Sequence, residues 1–164
     1  MAGPIHDKIK QSLKTADSLY HRLVLLVGVT DSGKTKILHD VADDFGVEII
    51  NINLALSTEL LGLTAKQRAL HLQEILNQIV DGDQTLIVLD NLEILFDKTL
   101  KQDPLRVLQS MSRNRPVLAS WSGTFSEGKL LYAEADHPEY RSYDSIDALI
   151  VDMNGYATID TAKK

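Results

Sequence analysis

Apolar residues near the start of the chain recur at helical spacing. Ile5, Ile9, Leu13 and Ala16 share one face, and Lys8, Lys10 and Lys14 lie on others. This spacing predicts an amphipathic packing helix over 5–19, opened by Pro4. The pattern then changes. Leu23–Val27 is an unbroken apolar run without alternation, as expected of a strand buried on both faces of a parallel sheet. A glycine-containing loop follows, then a helix over 34–44. Val47–Leu54 reads as a second strand. Ala65–Val80 reads as a long helix with Leu70, Ile75, Leu76 and Ile79 on its apolar side, ended by Asp81-Gly82-Asp83. Thr85–Leu89 is a third buried strand. Helical pattern returns from Leu92, breaks near Asp103-Pro104 and resumes from Leu105 to Ser112. Val117–Trp121 is a fourth strand. Strand alternating with helix predicts an α/β layered sheet with parallel strands.

After Gly123 the texture changes. Lys129–Ala133 is a fifth strand candidate, followed by a polar stretch, Glu134–Asp147, rich in tyrosine and acid. Ala148–Met153 is a further candidate, which Asn154-Gly155 can turn into a hairpin with Tyr156–Ile159. No internal repeat or linker divides the chain. It is expected to form one domain over 1–164, with an N-terminal helix at 5–19, a core at 20–133 and a strand-rich segment at 134–164.

Composition narrows the classes. A chain of 164 residues, 44% hydrophobic and 24% charged, buries roughly 70% of its unfolded surface and holds a core without staples. With no cysteine, disulfides, thiolate zinc sites and cysteine nucleophiles are excluded. The net charge of −6 gives no overall footprint for nucleic acid. The longest apolar run, Leu23–Val29, has 7 residues, whereas a membrane span needs about 20. The expectation is a cytoplasmic protein with no membrane partner.

The segment between the first strand and its helix carries the chemistry. Gly28-Val29-Thr30-Asp31-Ser32-Gly33-Lys34-Thr35 matches G-x-x-x-x-G-K-[S/T] at every position. Such a loop wraps phosphates with backbone N–H groups at a helix N-terminus. Lys34 is placed to reach the β- and γ-phosphates, and the Thr35 hydroxyl to ligate Mg²⁺. Asp31 brings negative charge near the phosphates, and its side chain is expected to face outward. The third strand, Leu86-Ile87-Val88-Leu89-Asp90, delivers a lone carboxylate to the edge where ligands of open α/β sheets sit. Asp90 there would hold Mg²⁺ beside the loop. The Lys34–Asp90 separation leaves room for one further strand and two helices. Asn91 follows Asp90 where many ATPases carry Glu. Glu93, two positions on, suits either a base orienting water or a favourable charge at a helix N-terminus.

Ser120 and Ser122 flank Trp121 at the end of the fourth strand. Ser122 is the better placed to sense a γ-phosphate, and Trp121 reads as core. Arg113 and Arg115 precede that strand, at the opposite edge of the sheet, and could reach only a neighbour's nucleotide, as an arginine finger in trans. Lys98, Lys101, Arg106, Arg113 and Arg115 form a locally basic stretch, the one candidate for DNA. His6, His21, His39, His71 and His137 show no metal-ligand spacing.

From Leu19 to Ser122 the chain resembles a P-loop NTPase of the additional-strand class, like AAA+ and STAND proteins. It is more narrowly similar to the small P-loop proteins of BREX phage-defence systems, the BrxF family. The residues carrying the resemblance are Leu19-Tyr20-His21-Arg22-Leu23-Val24-Leu25-Leu26-Val27-Gly28, Gly33-Lys34-Thr35, Asp90-Asn91-Leu92-Glu93-Ile94-Leu95-Phe96 and Val117-Leu118-Ala119-Ser120-Trp121. It implies a three-layer P-loop NTPase fold, departing from AAA+ in having no helical lid domain. It also implies a role in host defence alongside methyltransferase and larger ATPase components.

Two functions stay open. One is an ATPase using ATP and Mg²⁺, with Lys34, Asp90, Glu93 and Ser122 at the reaction and Arg113 or Arg115 supplied by a neighbour in a homo-oligomer. The other is a nucleotide-dependent assembly module with little turnover, favoured by Asn91. A nucleotide kinase lacks the arginine-rich lid segment it would need. The absence of N-K-x-D favours ATP over GTP.

Overall fold

Residues along the first strand alternate between two cores. Leu23, Leu25 and Val27 pack on one side of the sheet, and Val24 and Leu26 on the other. A computed structural model describes residues 4–133, 140–144, 146–155 and 157–160. In chain order the elements are α1 (Pro4–Ala16), β1 (Leu23–Gly28), α2 (Lys34–Phe45), β2 (Ile49–Asn51), α3 (Ile52–Leu60), α4 (Ala65–Ile79) and β3 (Ile87–Asp90). They continue with α5 (Pro104–Met111), β4 (Val117–Ser126), β5 (Lys129–Tyr132), β6 (Arg141–Tyr143), β7 (Ala148–Asp152) and β8 (Ala157–Asp160). The main sheet runs β2-β3-β4-β1-β7-β8. Its first five strands are parallel, and β8 closes one edge antiparallel to β7.

The fold is therefore mixed α/β, with a mainly parallel sheet flanked by helices. α1 and α2 cover one face through Ile9, Leu13, Leu38 and Val41, and α3, α4 and α5 cover the other through Leu56, Leu72, Leu76 and Leu108. Burying each such side chain is worth about 1.5–3 kcal/mol relative to exposure. Both faces of the strands are covered, which is why β1 and β3 read as continuous apolar runs.

Several boundaries differ from expectation. The second strand does not run from Val47 to Leu54. It stops at Asn51, whose side-chain oxygen accepts the Leu54 N–H at 3.0 Å and caps α3. Capping by Asn outweighs the strand pattern, and Ile52, Leu56 and Leu60 then share a buried helical face. Three helices, α2, α3 and α4, therefore stand between the loop and Asp90 in place of two. On α4, Leu70 is 72% exposed and Leu72 takes the buried place beside Leu76. The helical pattern after Leu92 resolves into two short 3₁₀ turns, Glu93–Phe96 and Lys98–Leu100.

The fourth strand is longer than expected. Beyond Ser122 it leaves its parallel neighbours and pairs antiparallel with β5, which pairs with β6. Trp121 is core, edge-on to Phe96, while Tyr132 stacks on Phe96 with centroids 3.5 Å apart. The β4–β5 layer thus packs on the turn that follows Asp90. The β7–β8 hairpin forms as the sequence predicts, although Tyr156 and residues 134–139, including His137, lie outside the described residues.

Candidate active site

The 28–35 loop joins the end of β1 to the start of α2. Gly33 takes φ 97° and opens the helix, a left-handed conformation that a side chain would strain. Asp31 also has a positive φ of 64°. It is exposed, as expected, yet it lines the cavity. That cavity, about 330 Å³, is bounded by Thr30 to Thr35 on one side and by Asp90, Asn91, Glu93 and Ser122 on the other.

Lys34 is buried, and its ammonium donates to the carbonyls of Gly28 and Val29, each at 2.8 Å. Burial lowers its pKa, opposed by the charges of Asp90, Glu93 and Asp31. The nearby carboxylates thus offset part of the cost of withdrawing a cation from water. Asp90, 5% exposed, has both oxygens engaged. Thr35 Oγ1 donates to Oδ2 at 2.7 Å, and Ser120 Oγ to Oδ1 at 2.6 Å. The sheet's register sets this junction. β3 and β4 run parallel with Leu89 beside Ala119, so the next residues along the two strands bring Asp90 and Ser120 together.

Glu93 is held from an unexpected side. Asn53, in the first turn of α3, donates through Nδ2 to Glu93 Oε2 at 3.4 Å. Its Oδ1 accepts the Ile94 N–H at 2.8 Å, and its own N–H reaches the Asn91 carbonyl at 2.9 Å. Asn91 takes φ 55°, turning the chain sharply as it leaves β3. Glu93 thus lines the cavity and also begins a 3₁₀ turn, a position compatible with either sequence reading.

The two serines divide their duties. Ser122 lines the cavity, whereas Ser120 fixes Asp90. Positions two apart on a strand face the same way, which places both on the Asp90 side. Asn53 has no signal in the sequence, because it lies 40 residues from its partner.

Arg113 and Arg115 are not in the cavity. They precede β4, at the sheet edge away from the loop. Arg113 lies over the Tyr20 ring, 4.8 Å from its centroid. Arg115 donates to the carbonyls of Val80, Gly82 and Gln84 at 2.7–3.2 Å. The basic stretch therefore mixes internally bonded and solvated cations, with Arg106 also 3.7 Å from Asp103.

The donor set suits a magnesium nucleotide. Asp90 and Thr35 offer a carboxylate and a hydroxyl oxygen at one point, as a hard cation requires. Among the described residues no cluster of three His, Cys, Asp or Glu could hold a metal alone. Mg²⁺ is typically bound by one or two carboxylates together with substrate phosphates. The same described residues contain no helix long and apolar enough to cross a membrane.

No curated protein matches the chain. Among solved structures it is similar to one described as "Structure of C. elegans PCH-2", at 16% identity and a TM-score of 0.41, over 75% of this chain and 37% of that one. Residues 24–116 match the sequence model of AAA, the ATPase family associated with various cellular activities. That span takes in β1 from Val24 on, the 28–35 loop, Asp90 and Glu93, and the chain belongs to the AAA family.

Proposed function

We propose that this chain binds ATP with Mg²⁺ in the 28–35 loop and hydrolyses it. The observation that carries the reading is the junction of Thr35, Asp90 and Ser120 beside a buried Lys34. Lys34 moves its hydrogen bonds from the Gly28 and Val29 carbonyls to the β- and γ-phosphates. The backbone N–H groups of Val29, Thr30, Asp31, Ser32 and Gly33 wrap the phosphate chain. Thr35 and Asp90 hold the metal, which supplies charge neutralisation when bound. Glu93, steadied by Asn53, accepts a proton from the attacking water, and Ser122 faces the γ-phosphate. Catalysis is mostly positioning and charge stabilisation.

The test is calorimetry with ATP and Mg²⁺ together with steady-state phosphate release, on the native chain and on Lys34→Ala. Binding and release that both depend on Lys34 support the reading. Unchanged nucleotide affinity in Lys34→Ala sinks it.

A second reading is an assembly module with slow turnover. Asn91, in place of an acid directly after Asp90, favours it. Under this reading copies of the chain associate head to tail, and Arg113 of one enters the site of the next. Arg115 is unsuited to that task, since its guanidinium already serves three carbonyls. A heterologous contact of this kind closes into a ring or runs into a filament, and such a finger is worth about 10³–10⁵ in rate. Mixing Lys34→Ala with Arg113→Ala chains should restore activity at interfaces that pair an intact loop with an intact arginine. No recovery, with light scattering that stays monomeric in ATP and Mg²⁺, removes self-assembly. The resemblance of 90–96 and 117–121 to BREX proteins supports a place beside larger defence components, and phosphate release with and without DNA tests a DNA-linked role.

A further inference from the structure

Between the first 3₁₀ turn and the start of α5, acids and cations are sorted. The acids Asp97 and Asp103 are half-buried and committed to local structure. Asp97 Oδ1 accepts the Thr99 N–H at 2.9 Å and the Thr99 hydroxyl at 2.7 Å. Asp103 Oδ1 accepts the Leu105 N–H at 3.1 Å and the Tyr143 hydroxyl at 2.9 Å. The cations Lys98, Lys101 and Arg106 are exposed. Among the described residues neither lysine forms an ion pair, and Arg106 approaches Asp103 only at 3.7 Å.

Gln102 brings further cations beside them. Its Nε2 donates to the carbonyls of Leu100 and of Ala69 on α4, each at 3.1 Å. Its own carbonyl accepts Arg141 Nη2, from β6, at 3.0 Å. Arg68 precedes Ala69 and donates from Nε to the Leu63 carbonyl at 3.1 Å. Hydrogen bonds from Thr99 lower the Asp97 pKa, and the charge of Arg68 adds to them. Arg68, Lys98, Lys101, Arg106 and Arg141 thus gather around two engaged carboxylates, on a chain whose net charge is −6. Such a chain draws a polyanion only through a local surface of this kind. Within 97–106 and β6 no described large apolar side chain is exposed, and the exposed rings, Tyr20 and Phe45, belong to other parts of the chain. A protein partner meets aromatic and apolar side chains at the centre of an interface, and single strands stack their bases on rings. A polar, positive surface without either suits the backbone of a duplex.

We propose that the surface formed by 97–106 with Arg68 and Arg141 binds the phosphate backbone of a nucleic-acid duplex. Phosphate contacts carry no sequence information, so binding is independent of sequence. The surface is separate from the 28–35 loop, and the measurements are made without nucleotide. Fluorescence anisotropy follows a labelled DNA duplex, an RNA duplex of the same sequence, a DNA single strand and a polyglutamate peptide. The native chain should bind duplex more tightly than single strand or peptide, and the preferred duplex names the source of the backbone. About four phosphate contacts should cost about 10²-fold in affinity between about 50 and 200 mM salt. Lys98→Glu/Lys101→Glu should weaken duplex binding by about tenfold or more and flatten its salt dependence. Lys8→Glu/Lys14→Glu changes the net charge equally at exposed positions of α1, on the other face of the sheet, and should bind as the native chain does. No duplex binding at the lower salt overturns the proposal. Equal losses in the two double variants assign binding to net charge and overturn the surface. Tighter binding of the single strand or of polyglutamate overturns the duplex as its ligand. Lysine acetylation of the native chain, with and without duplex, gives an answer even if Lys98→Glu/Lys101→Glu fails to fold. Protection of Lys98 and Lys101 supports the surface, and protection confined to other lysines overturns it.

Discussion

The two edges of the parallel sheet use their charged residues in opposite ways. At the C-terminal edge, Lys34 and Asp90 are buried beside a cavity, and Asp90 is held by the hydroxyls of Thr35 and Ser120. At the N-terminal edge, Arg115 donates to backbone carbonyls, and Arg22 donates to the Arg113 carbonyl at 2.7 Å. His21 meets Asp147 at 2.5 Å, and Arg113 lies on Tyr20. The first arrangement keeps charge desolvated next to open volume, which raises its influence on a ligand. The second ties chain ends and loops together through backbone carbonyls and ring contacts. Buried charge that faces a cavity, rather than charge as such, distinguishes the edge that carries the candidate site.

Substitutions can break this comparison. The largest effect is expected from Asp90→Asn, which keeps the shape and removes the charge. Phosphate release should fall by about 10²–10³-fold, while nucleotide binding without metal changes little. Turnover at the native rate would show that another residue holds the metal. Next is Lys34→Ala, where loss of a charge-assisted phosphate contact should weaken ATP binding by about 1.5–3 kcal/mol, read by calorimetry.

The other edge should respond in stability instead. Arg115→Ala leaves the Val80, Gly82 and Gln84 carbonyls without their donor, a cost of about 1–3 kcal/mol in chemical denaturation. Its ATP affinity should match the native chain's, and a loss of affinity would erase the contrast between the edges. The smallest change is Arg113→Ala, which removes an exposed cation–π contact worth about 0.5–1 kcal/mol of folding stability. A larger loss would give Arg113 a structural role beyond its contact with Tyr20.

The candidate site was legible where its residues are contiguous. The motif of the 28–35 loop is spelled out in 8 successive positions, and Asp90 ends an apolar strand, so strand direction alone carries it to the edge beside the cavity. Asn53 was not legible, because its link to Glu93 spans 40 residues and requires α3 to begin where β2 ends. Ser120 was recognised as near the edge, but its bond to Asp90 depends on β4 lying beside β3. Leu70 shows the same limit in the core. Its apolar character fits the helical stripe of α4, yet the rotation of the packed helix leaves it exposed and buries Leu72.

By itself the sequence determined what local chemistry dictates. That includes the phosphate loop, the doubly buried strands, the N-terminal packing helix and the β7–β8 hairpin at Asn154-Gly155. Each follows from the backbone preferences and polarity of neighbouring residues. Tertiary structure decided which polar groups meet. It set Ser120 on Asp90, Asn53 on Glu93, Arg115 on the carbonyls of 80–84 and Met153 on the loop. Those pairings depend on strand order and helix rotation, set by how the whole chain buries its two cores.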